Sequence, residues 1–278
     1  HSNTWMNQVA ARLARSMKKP YVLTHYGTEI WHHDGRNRPF RRLNRDARHG
    51  TSYSAALRPR ARELAVPFSA GSVVYPAVDL MFSPLAGPER EAIRAPLVNS
   101  GEFLLFNVKR LHPLADHATL LRAFSLLDPA LKARLVIAGS GEEKERLEAL
   151  AASLELGSRV RFLGLVPNQE VARLHGAADL FVLSSRLEAT PTVVLEALAT
   201  GTRVVSTDNP GGLELGALFP DDLRVVPREN PEALAQGIAA ALRENRRISE
   251  RTSRVIDEQF SLRGLVDRYC AIYEDARR

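Results

Sequence analysis

Cysteine is almost absent from this 278-residue sequence, in which Cys270 stands alone. A single cysteine rules out an intramolecular disulfide. Long apolar runs are also missing: the longest uncharged stretch, residues 64–78, is broken by two prolines and a glycine and is too short to cross a bilayer as a helix. The first residues lack the charged-then-apolar pattern of a secretory signal. A reducing cytoplasm is therefore the default expectation.

Arginine, in contrast, is concentrated in one short region between positions 36 and 62, within a chain of formal net charge +6. Such a patch attracts anionic lipid headgroups, nucleic acid or an acidic acceptor. Nucleic acid is not expected, because no aromatic interleaving or known nucleic-acid module accompanies the arginines. Peripheral contact with an anionic membrane and a solvated helical surface both remain open. The region contains Arg36, Arg38, Arg41, Arg42, Arg45, Arg48, Arg58, Arg60 and Arg62.

Strand and helix patterns alternate beyond residue 100, which predicts an α/β fold with a doubly wound parallel sheet. Six strands with crossover helices make one complete Rossmann-like domain. The first hundred residues predict about half of such a domain, with a helix near 3–17, a strand near 21–25, a basic helical stretch and short strands near 51–54 and 72–76. The later strands are expected near 103–108, 133–138, 160–163, 180–185, 203–207 and 223–226, and the helices near 116–127, 142–154, 168–177, 191–199 and 231–244.

Proline and glycine mark the boundary between these two parts. Residues 83–96 contain three prolines and one glycine, which is typical of a linker. The sequence therefore predicts a partial N-terminal Rossmann-like domain over 1–85, a linker over 86–100, a complete C-terminal Rossmann-like domain over 101–260, and a final helix over 261–278 that packs back on the first domain.

Two glutamates stand eight residues apart in the stretch EATPTVVLEALATGT, which begins at Glu188. Glu188 follows the apolar run 180–185, which is typical of a buried parallel strand. Thr190 is the predicted N-cap, and Pro191 the first residue, of a helix that carries Glu196. Both acids are then expected at the carboxyl end of a strand, where open α/β sheets bind ligands. Acids that hold sugar hydroxyls beside a phosphate-attracting helix N-terminus suit a nucleotide sugar; a solvated acid and a helix-face acid are the alternative.

The same stretch is one of five that resemble a known family. From about residue 102 to residue 260 the chain resembles the nucleotide-sugar-binding half of the family 4 retaining glycosyltransferases, whose two-Rossmann-domain fold is called GT-B. The upstream segments VLTHYGTE, TSYSAALRPRARELAVP and SVVYPAVDLMFSP resemble its first domain more weakly. The five stretches, in the family's order, are FNVKRLHPLADHATLLRAF, RLVIAGSGEEKERLEALA, RVRFLGLVPNQEVARLHGAADLFVLSS, EATPTVVLEALATGTRVVSTDNPGG and the late helical region that ends in QF.

The resemblance implies roles for both glutamates. Glu196 matches the second acid of the family's Glu-x7-Glu motif, which holds the ribose hydroxyls, and Glu188 matches the first, which lies against the donated sugar. The family usually has glycine after the first acid, and an added methyl group at that point narrows the pocket. The helix start is expected to bind the sugar donor through Ala189, Thr190, Pro191 and Thr192.

Cations are expected at the end of the strand near 103–108. Arg110 corresponds to the family's diphosphate-binding arginine, and a guanidinium there can pair with a diphosphate. Lys109 replaces the preceding glycine, and Ala115 replaces a phosphate-binding lysine. Lys109 is thus a second candidate for the diphosphate, while a surface salt bridge is the alternative for Arg110.

Two further contacts with the sugar donor follow from the resemblance. The backbone of Gly164, Leu165 and Val166 is expected to meet the nucleobase, unless this segment is only a strand-to-helix loop. His25 corresponds to the histidine that faces the donor sugar across the cleft, which makes His25 and Glu188 the expected catalytic residues. A structural role at the strand end is the alternative for His25.

No metal or other cofactor is expected, because cations and helix dipoles stabilise the leaving diphosphate in GT-B enzymes. Gly139 and Gly141 form a lone Gly-x-Gly, which a tight turn into the next helix explains better than dinucleotide binding does. Asp221 and Asp222 are interpreted as a solvated turn.

The resemblance implies a retaining glycosyltransferase that moves a sugar from a nucleoside-diphosphate sugar to a glycan or lipid-linked acceptor, in the cytoplasm and at the inner face of the membrane. It also implies that the family's first strands and glycine loop precede His1. Two alternatives remain open. One is a non-catalytic nucleotide-sugar-binding fragment or assembly subunit, and the other is a sugar-nucleotide epimerase of the same fold.

Overall fold

The computed structural model describes residues 2–32, 38–66 and 73–278, and only the backbone path at 2–4, 28 and 29. These residues form two compact units. The small unit comprises His1–Ala77 and Gln259–Arg278, and the large unit comprises Val78–Glu258.

The strands are β1 (Val22–His25), β2 (His49–Ser52), β3 (Phe103–Val108), β4 (Ala133–Ala138), β5 (Val160–Gly164), β6 (Leu180–Leu183), β7 (Arg203–Thr207) and β8 (Leu223–Val226). The α-helices are α1 (Ser2–Ser16), α2 (Thr28–Trp31), α3 (Arg38–Arg45), α4 (Arg58–Glu63), α5 (Gly87–Arg94), α6 (His117–Ser125), α7 (Lys144–Ser153), α8 (Asn168–Ala177), α9 (Thr192–Ala199), α10 (Pro210–Leu218), α11 (Pro231–Glu244), α12 (Glu250–Gln259) and α13 (Leu262–Arg277).

The large unit is built on a six-stranded sheet in the order β5-β4-β3-β6-β7-β8. All neighbouring strands are parallel. The order reverses between β3 and β6, because the chain first builds outward on one side of β3 and then returns to build on the other. Ligands of open α/β sheets bind at such a reversal, at the carboxyl ends of the strands.

The four central strands, β3, β4, β6 and β7, are largely buried because most of their residues are apolar. Leu105, Leu135, Val182 and Val205 belong to one core cluster with residues of α6 and α11. Parallel strands covered by helices on both faces read as continuous apolar runs. All six strands predicted beyond residue 100 are confirmed, although β6 ends at Leu183 rather than 185.

Several crossover helices begin at a side chain that caps their first turn. Asp116, Asn209 and Asn230 accept hydrogen bonds from backbone N–H groups at the starts of α6, α10 and α11. Such caps satisfy N–H groups that lack a partner within the helix. Helix α10 was not among the predicted helices, since its glycines disguise the pattern.

In the small unit, β1 and β2 pair in parallel, and Val73 forms a parallel bridge to Ser52. The strand predicted near 51–54 is β2, which begins two residues earlier. Of the strand predicted near 72–76, residue 72 lies outside the described residues, as does Arg36 of the basic region. Helix α13 joins this unit through a hydrogen bond between the hydroxyls of Tyr269 and Thr24 (3.1 Å).

The segment 86–100, predicted as a linker, instead contains helix α5. Its proline lies in the first turn, where a helix tolerates proline because the missing N–H would have no partner there. Arg90 and Arg94 of α5 both pair with Asp179, at 2.6 and 2.8 Å, and so hold the helix on the large unit.

The interpretation of Asp222 as solvated is wrong, because only 1% of this residue is exposed. Its carboxylate accepts from Arg246 (2.6 Å) and from the backbone and hydroxyl of Ser249 (2.8 and 2.7 Å). These donors hold the pKa of Asp222 below its usual value in spite of burial. Asp221 is exposed, as expected.

A cavity of about 580 Å³ opens at the amino edge of the large sheet, where Asp179 precedes β6 and Gly201 precedes β7. Arg247 lines it and donates to the carbonyls of Ala178 (2.8 Å) and Thr200 (2.7 Å). These carbonyls lie at the C-terminal ends of helices α8 and α9, so the guanidinium group of Arg247 caps both helices.

In the part of the chain that the structure describes, no helix is long and apolar enough to cross a membrane.

Candidate active site

The candidate site lies at the carboxyl edge of the large sheet, where β3 and β6 are neighbours. These two strands pair in register only through Leu105 with Leu180 and Phe106 with Phe181. One residue further along β3, the side chain of Asn107 donates to the carbonyl of Val182 (2.8 Å) and bridges the two strands. This short pairing lies at the reversal point, where open α/β sheets form their ligand-binding crevice.

An ion pair joins the ends of these two strands. Lys109, which follows β3, places Nζ 2.6 Å from Oε1 of Glu188, which follows β6. The side chains are 27% and 15% exposed, so both are largely withdrawn from water. Two of the predicted site residues, from separate stretches of the sequence, therefore meet directly.

Two glycines shape the loop that carries Lys109. A Cβ atom at Gly139 would lie 2.0 Å from the carbonyl oxygen of Lys109, and one at Gly141 would lie 2.2 Å from that of Leu111. Gly139 also has φ +131°, a conformation that L side chains rarely adopt. The interpretation of the Gly-x-Gly as a tight turn is confirmed, and its consequence is that the loop after β4 supports the lysine.

A second loop holds Glu188. The N–H of Gly211 donates to the carbonyl of Glu188 (2.9 Å), and a Cβ atom on Gly211 would lie 2.5 Å from the carbonyl oxygen of Ala189. Thus the glycine-rich start of α10 packs tightly on the backbone of the acid. Ala189 and Pro191 are both buried, and 9% of the surface of Ala189 is exposed.

Helix α9 begins at Thr192, with Pro191 at the N-cap position and no side-chain cap. The prediction of Thr190 as N-cap and Pro191 as the first helical residue is therefore wrong by one residue. The backbone of Pro191 is extended, with ψ 99°, and the proline side chain has no atom that can accept a hydrogen bond. The uncapped N–H groups of this turn make it suited to an anion.

Glu196 lies on the fifth residue of α9, with its side chain 20% exposed. Burial raises the pKa of Glu196 to about 7, against the lowering effects of a hydrogen bond to Thr192 and the charge of Lys109. A carboxyl group that changes charge near neutral pH and lies close to a cation is typical of a functional site.

Two histidines that the sequence analysis overlooked lie behind these residues. His117, at the start of α6, bonds through Nε2 to Oδ1 of Asn107 (2.9 Å), and burial lowers its pKa to about 4. Asn107 uses its amide N–H elsewhere, so Nε2 of the histidine is the donor. His175 of α8 is fully buried, with Nε2 3.9 Å from Oε2 of Glu196. A polar residue within the apolar run FLLFNV was the available signal for Asn107.

Other predicted residues are placed differently. The side chain of Arg110 is 73% exposed and forms a 3.3 Å salt bridge with Glu142. This arrangement agrees with the alternative interpretation of Arg110 as part of a surface salt bridge. Ala115 is buried, and its carbonyl accepts from the hydroxyl of Ser184 (2.8 Å). Lys109 is therefore the cation that the structure sets beside the glutamates.

The remaining predicted contacts lie at other strand ends. The carbonyl of Gly164, which ends β5, accepts from the N–H of Gly139 (2.7 Å), so Leu165 and Val166 form the projecting part of this loop. His25 ends β1 in the small unit and is 1% exposed. Within the described ranges, no three side chains of His, Cys, Asp or Glu are grouped as metal ligands.

Curated relatives match a large part of this chain. The D-inositol 3-phosphate glycosyltransferase of Saccharomonospora viridis is 36% identical over 217 residues, which are 73% of this chain and 49% of that protein. The uncharacterized glycosyltransferase MJ1607 of Methanocaldococcus jannaschii is 34% identical over 145 residues, 52% of this chain and 37% of that one. The chain thus spans half or less of the length of these relatives.

A solved structure agrees with the fold. The crystal structure of Anabaena Alr3699/HepE in complex with UDP superposes with a TM-score of 0.86 at 20% identity, covering 98% of this chain and 77% of that one. The expected α/β fold of the GT-B class is thereby confirmed. The family model described as "Glycosyl transferases group 1" matches residues 89–258, which is more than half of the sequence. The chain belongs to the group 1 glycosyl transferases.

Proposed function

We propose that this protein is a retaining glycosyltransferase of family 4 that uses a nucleoside-diphosphate sugar. The observation that carries the proposal is the Lys109–Glu188 pair across the reversal point of the sheet, with Glu196 beside it. Anabaena Alr3699/HepE, whose fold is similar, was crystallised with UDP and with UDP-glucose. A uridine diphosphate sugar is therefore the first sugar donor to test.

The nucleotide is proposed to bind along the start of α9. Glu196 accepts hydrogen bonds from the ribose hydroxyls, and the uncapped N–H groups at Thr192 face the diphosphate. The diphosphate competes with Glu188 for the ammonium group of Lys109. Because the ion pair is largely withdrawn from water, this exchange replaces one charge-assisted contact by another at little cost.

Transfer then requires charge stabilisation at two places. The bond between the anomeric carbon and the diphosphate oxygen breaks, the acceptor's hydroxyl oxygen bonds to that carbon on the same face, and the hydroxyl proton leaves with the diphosphate. Before the new bond is complete, the leaving group gains negative charge as the sugar gains oxocarbenium character. Lys109 and the α9 N-terminus lie where they stabilise the leaving group. Glu188, released from the lysine, faces the sugar. Since protein cations supply the charge in this proposal, it does not call for a metal ion.

The acceptor side is proposed to be a glycan or a lipid-linked acceptor at the cytoplasmic face of a membrane. Region 36–62 carries nine arginines and one acid. Its helix α3 buries Phe40 and Leu43 and turns its arginines outward. In the same unit, α1 exposes Met6 and Leu13 on one helical face, and the exposed Met17 follows directly after the helix. Basic and apolar side chains on adjacent helices suit an anionic bilayer surface.

Calorimetry with UDP and UDP-glucose tests the sugar-donor site. We expect both to bind, and we expect Glu196→Ala to weaken binding by about 1.5–3 kcal/mol, because a charged acceptor of hydroxyl groups is lost. Glu232→Gln, an exposed acid on α11, is the matched control and should bind normally. A folded protein that binds neither compound at millimolar concentration would overturn the proposal.

Transfer is measured separately, as UDP released from UDP-glucose in the presence of D-inositol 3-phosphate, glycans or anionic lipid vesicles. NMR of the product identifies the anomer, and inversion would contradict a retaining mechanism. Chelation with EDTA should leave the rate unchanged. Vesicles that contain anionic lipid should bind the protein, and vesicles of neutral lipid should not.

A second candidate is a non-catalytic nucleotide-sugar-binding subunit. It is favoured by one observation: Arg110 pairs with Glu142 and Ala115 is buried, so Lys109 is the one predicted cation beside the glutamates among the described residues. Binding of UDP-glucose without release of UDP, under every acceptor condition, would favour this candidate.

A further inference from the structure

One buried side chain beside the candidate site has no evident structural reason to be polar. His175 lies on α8 with 0% of its surface exposed. Its ring contacts Phe181, Phe106 and Phe82, with ring centroids 4.8, 5.0 and 6.1 Å away. Neither of its ring nitrogens has a hydrogen-bond partner among the residues that the structure describes.

Such a position is costly for an imidazole. Buried polar groups are nearly always hydrogen-bonded, and an unpaired one forfeits its solvation without compensation. Three surrounding aromatic rings would accommodate a phenylalanine or leucine well. The two nitrogens therefore suggest a function outside packing.

The group that His175 faces is Glu196. Nε2 lies 3.9 Å from Oε2 of the carboxyl group, about 1 Å beyond a hydrogen bond. The other groups that act on this carboxyl are Thr192 of the same helix and Lys109 from the end of β3, which itself pairs with Glu188 from the end of β6. His175 approaches from α8, on the inner side of the site.

We propose that His175 is a positioning residue that hydrogen-bonds Glu196 from the protein interior and so orients its outer oxygen toward the sugar donor's hydroxyls. This inference rests on the proposed role of Glu196 in binding the sugar donor. A rotamer adjustment of either side chain closes the remaining distance. A hydrogen bond to the carboxyl oxygen that faces the interior restricts the rotation of the Glu196 side chain before the ligand arrives, which lowers the entropic cost of binding.

A neutral imidazole suits this task because it has one donor and one acceptor nitrogen and can exchange them. Nε2–H donates to a carboxylate, and bare Nε2 accepts from a protonated carboxyl group. Burial lowers the pKa of His175 to about 3, so the ring stays neutral over the working pH range. The contact consequently survives the change of charge at Glu196.

The test compares two replacements by calorimetry with UDP-glucose between pH 6 and 8. His175→Phe fits the aromatic surroundings but cannot hydrogen-bond, and we expect it to weaken binding about tenfold. His175→Gln places an amide near the position of Nε2, and it should recover most of the affinity. A purely structural role predicts the opposite order, because phenylalanine packs well there and a buried amide does not.

Phe181→Leu is the matched control, since it disturbs the same ring cluster and keeps both partners of the proposed hydrogen bond. It should lower the thermal unfolding temperature without changing the pH profile of binding. If His175→Phe binds as the unaltered protein does at every pH, or if Phe181→Leu reproduces its loss of affinity, the inference is overturned.

A measurement without ligand separates this inference from the proposed function. Nitrogen-15 shifts of the His175 ring report whether Nε2 is hydrogen-bonded, and the carbon-13 titration of the Glu196 carboxyl should move in His175→Phe. A protein that fails to bind UDP-glucose but shows both signals refutes the proposed function and supports the contact. An Nε2 shift typical of an unbonded nitrogen, with an unchanged Glu196 titration, refutes the contact itself.

Discussion

Lys109 and Glu188 form a 2.6 Å ion pair that joins the ends of two adjacent strands, although 79 positions separate them in the sequence. The pair lies at the reversal point of the sheet, next in sequence to the side-chain bridge from Asn107 on one strand and to the start of α9 on the other. Lys109 is therefore a cation at the place where open α/β sheets bind ligands. The pair thus links the fold of the sheet directly to the proposed binding of a diphosphate.

Lys109→Met should weaken UDP-glucose binding by about 1.5–3 kcal/mol, because it removes a charged partner of the diphosphate and keeps the aliphatic stem. Calorimetry at low and high salt measures the effect, which should shrink as salt is added. Lys132→Met, at an exposed lysine beside the opposite edge of the sheet, is the control. Normal binding by Lys109→Met together with a loss in Arg110→Met would place the diphosphate at the arginine instead.

Glu196→Gln should stabilise the protein at pH 8 and leave it unchanged below about pH 4.5. Burial raises the pKa of Glu196 from 4.5 to about 7, so the folded state binds a proton that the unfolded chain releases. The stability that this group contributes is present below the lower pKa and is lost as pH rises through the higher one, by about 3 kcal/mol at most.

Urea unfolding of both proteins at pH 4.5 and pH 8 measures this difference. Glutamine resembles the protonated acid and carries no charge to desolvate. The exposed control Glu232→Gln should show no such pH dependence. Equal stability of Glu196→Gln and the unaltered protein at pH 8 would mean that Lys109 already compensates the buried charge.

Gly139→Ala should lower the free energy of unfolding by more than the strain of an alanine at positive φ alone would. The added Cβ would lie 2.0 Å from the carbonyl oxygen of Lys109, so the loop must move, and UDP-glucose binding should fall with it. Gly101→Ala is the matched control, because it also has positive φ but no atom within 4 Å. The control should cost about 1 kcal/mol. Similar losses in both variants would show that the loop yields without strain.

Asp222→Asn should lower the free energy of unfolding by about 2–4 kcal/mol, since it leaves Arg246 and its neighbours without a buried carboxylate partner. The pKa of Asp222 is held below its usual value, so the stability it contributes is present above the unfolded pKa and is lost as pH falls through the folded one. Urea unfolding from pH 7 to pH 3 should show this loss. Asp221→Asn, at the exposed neighbour, should be nearly neutral, and an equal effect of both variants would contradict the ion network.

Much of the large unit could be predicted from local pattern. The apolar runs FLLFNV and ARLVIA correspond to β3 and β4, and the eight-residue spacing of Glu188 and Glu196 does place one acid before a helix and the other within it. Local pattern failed where proline and glycine are compatible both with a loop and with the first turn of a helix. Residues 86–100 look like a linker, yet proline in a first turn is compatible with helix α5.

The sequence by itself determined where the strands of the large unit and its helices α6–α9 and α11 lie, and that acids and cations follow the strands, because period and capping depend on residues close along the chain. Only the tertiary structure decided which strand ends meet, that Lys109 rather than Arg110 faces Glu188, and that His175 and Asp222 are buried. The physical reason is that pairing of distant strands and packing of helices on them set both the neighbours and the dielectric surroundings of a side chain, and neither is encoded in a short window of sequence.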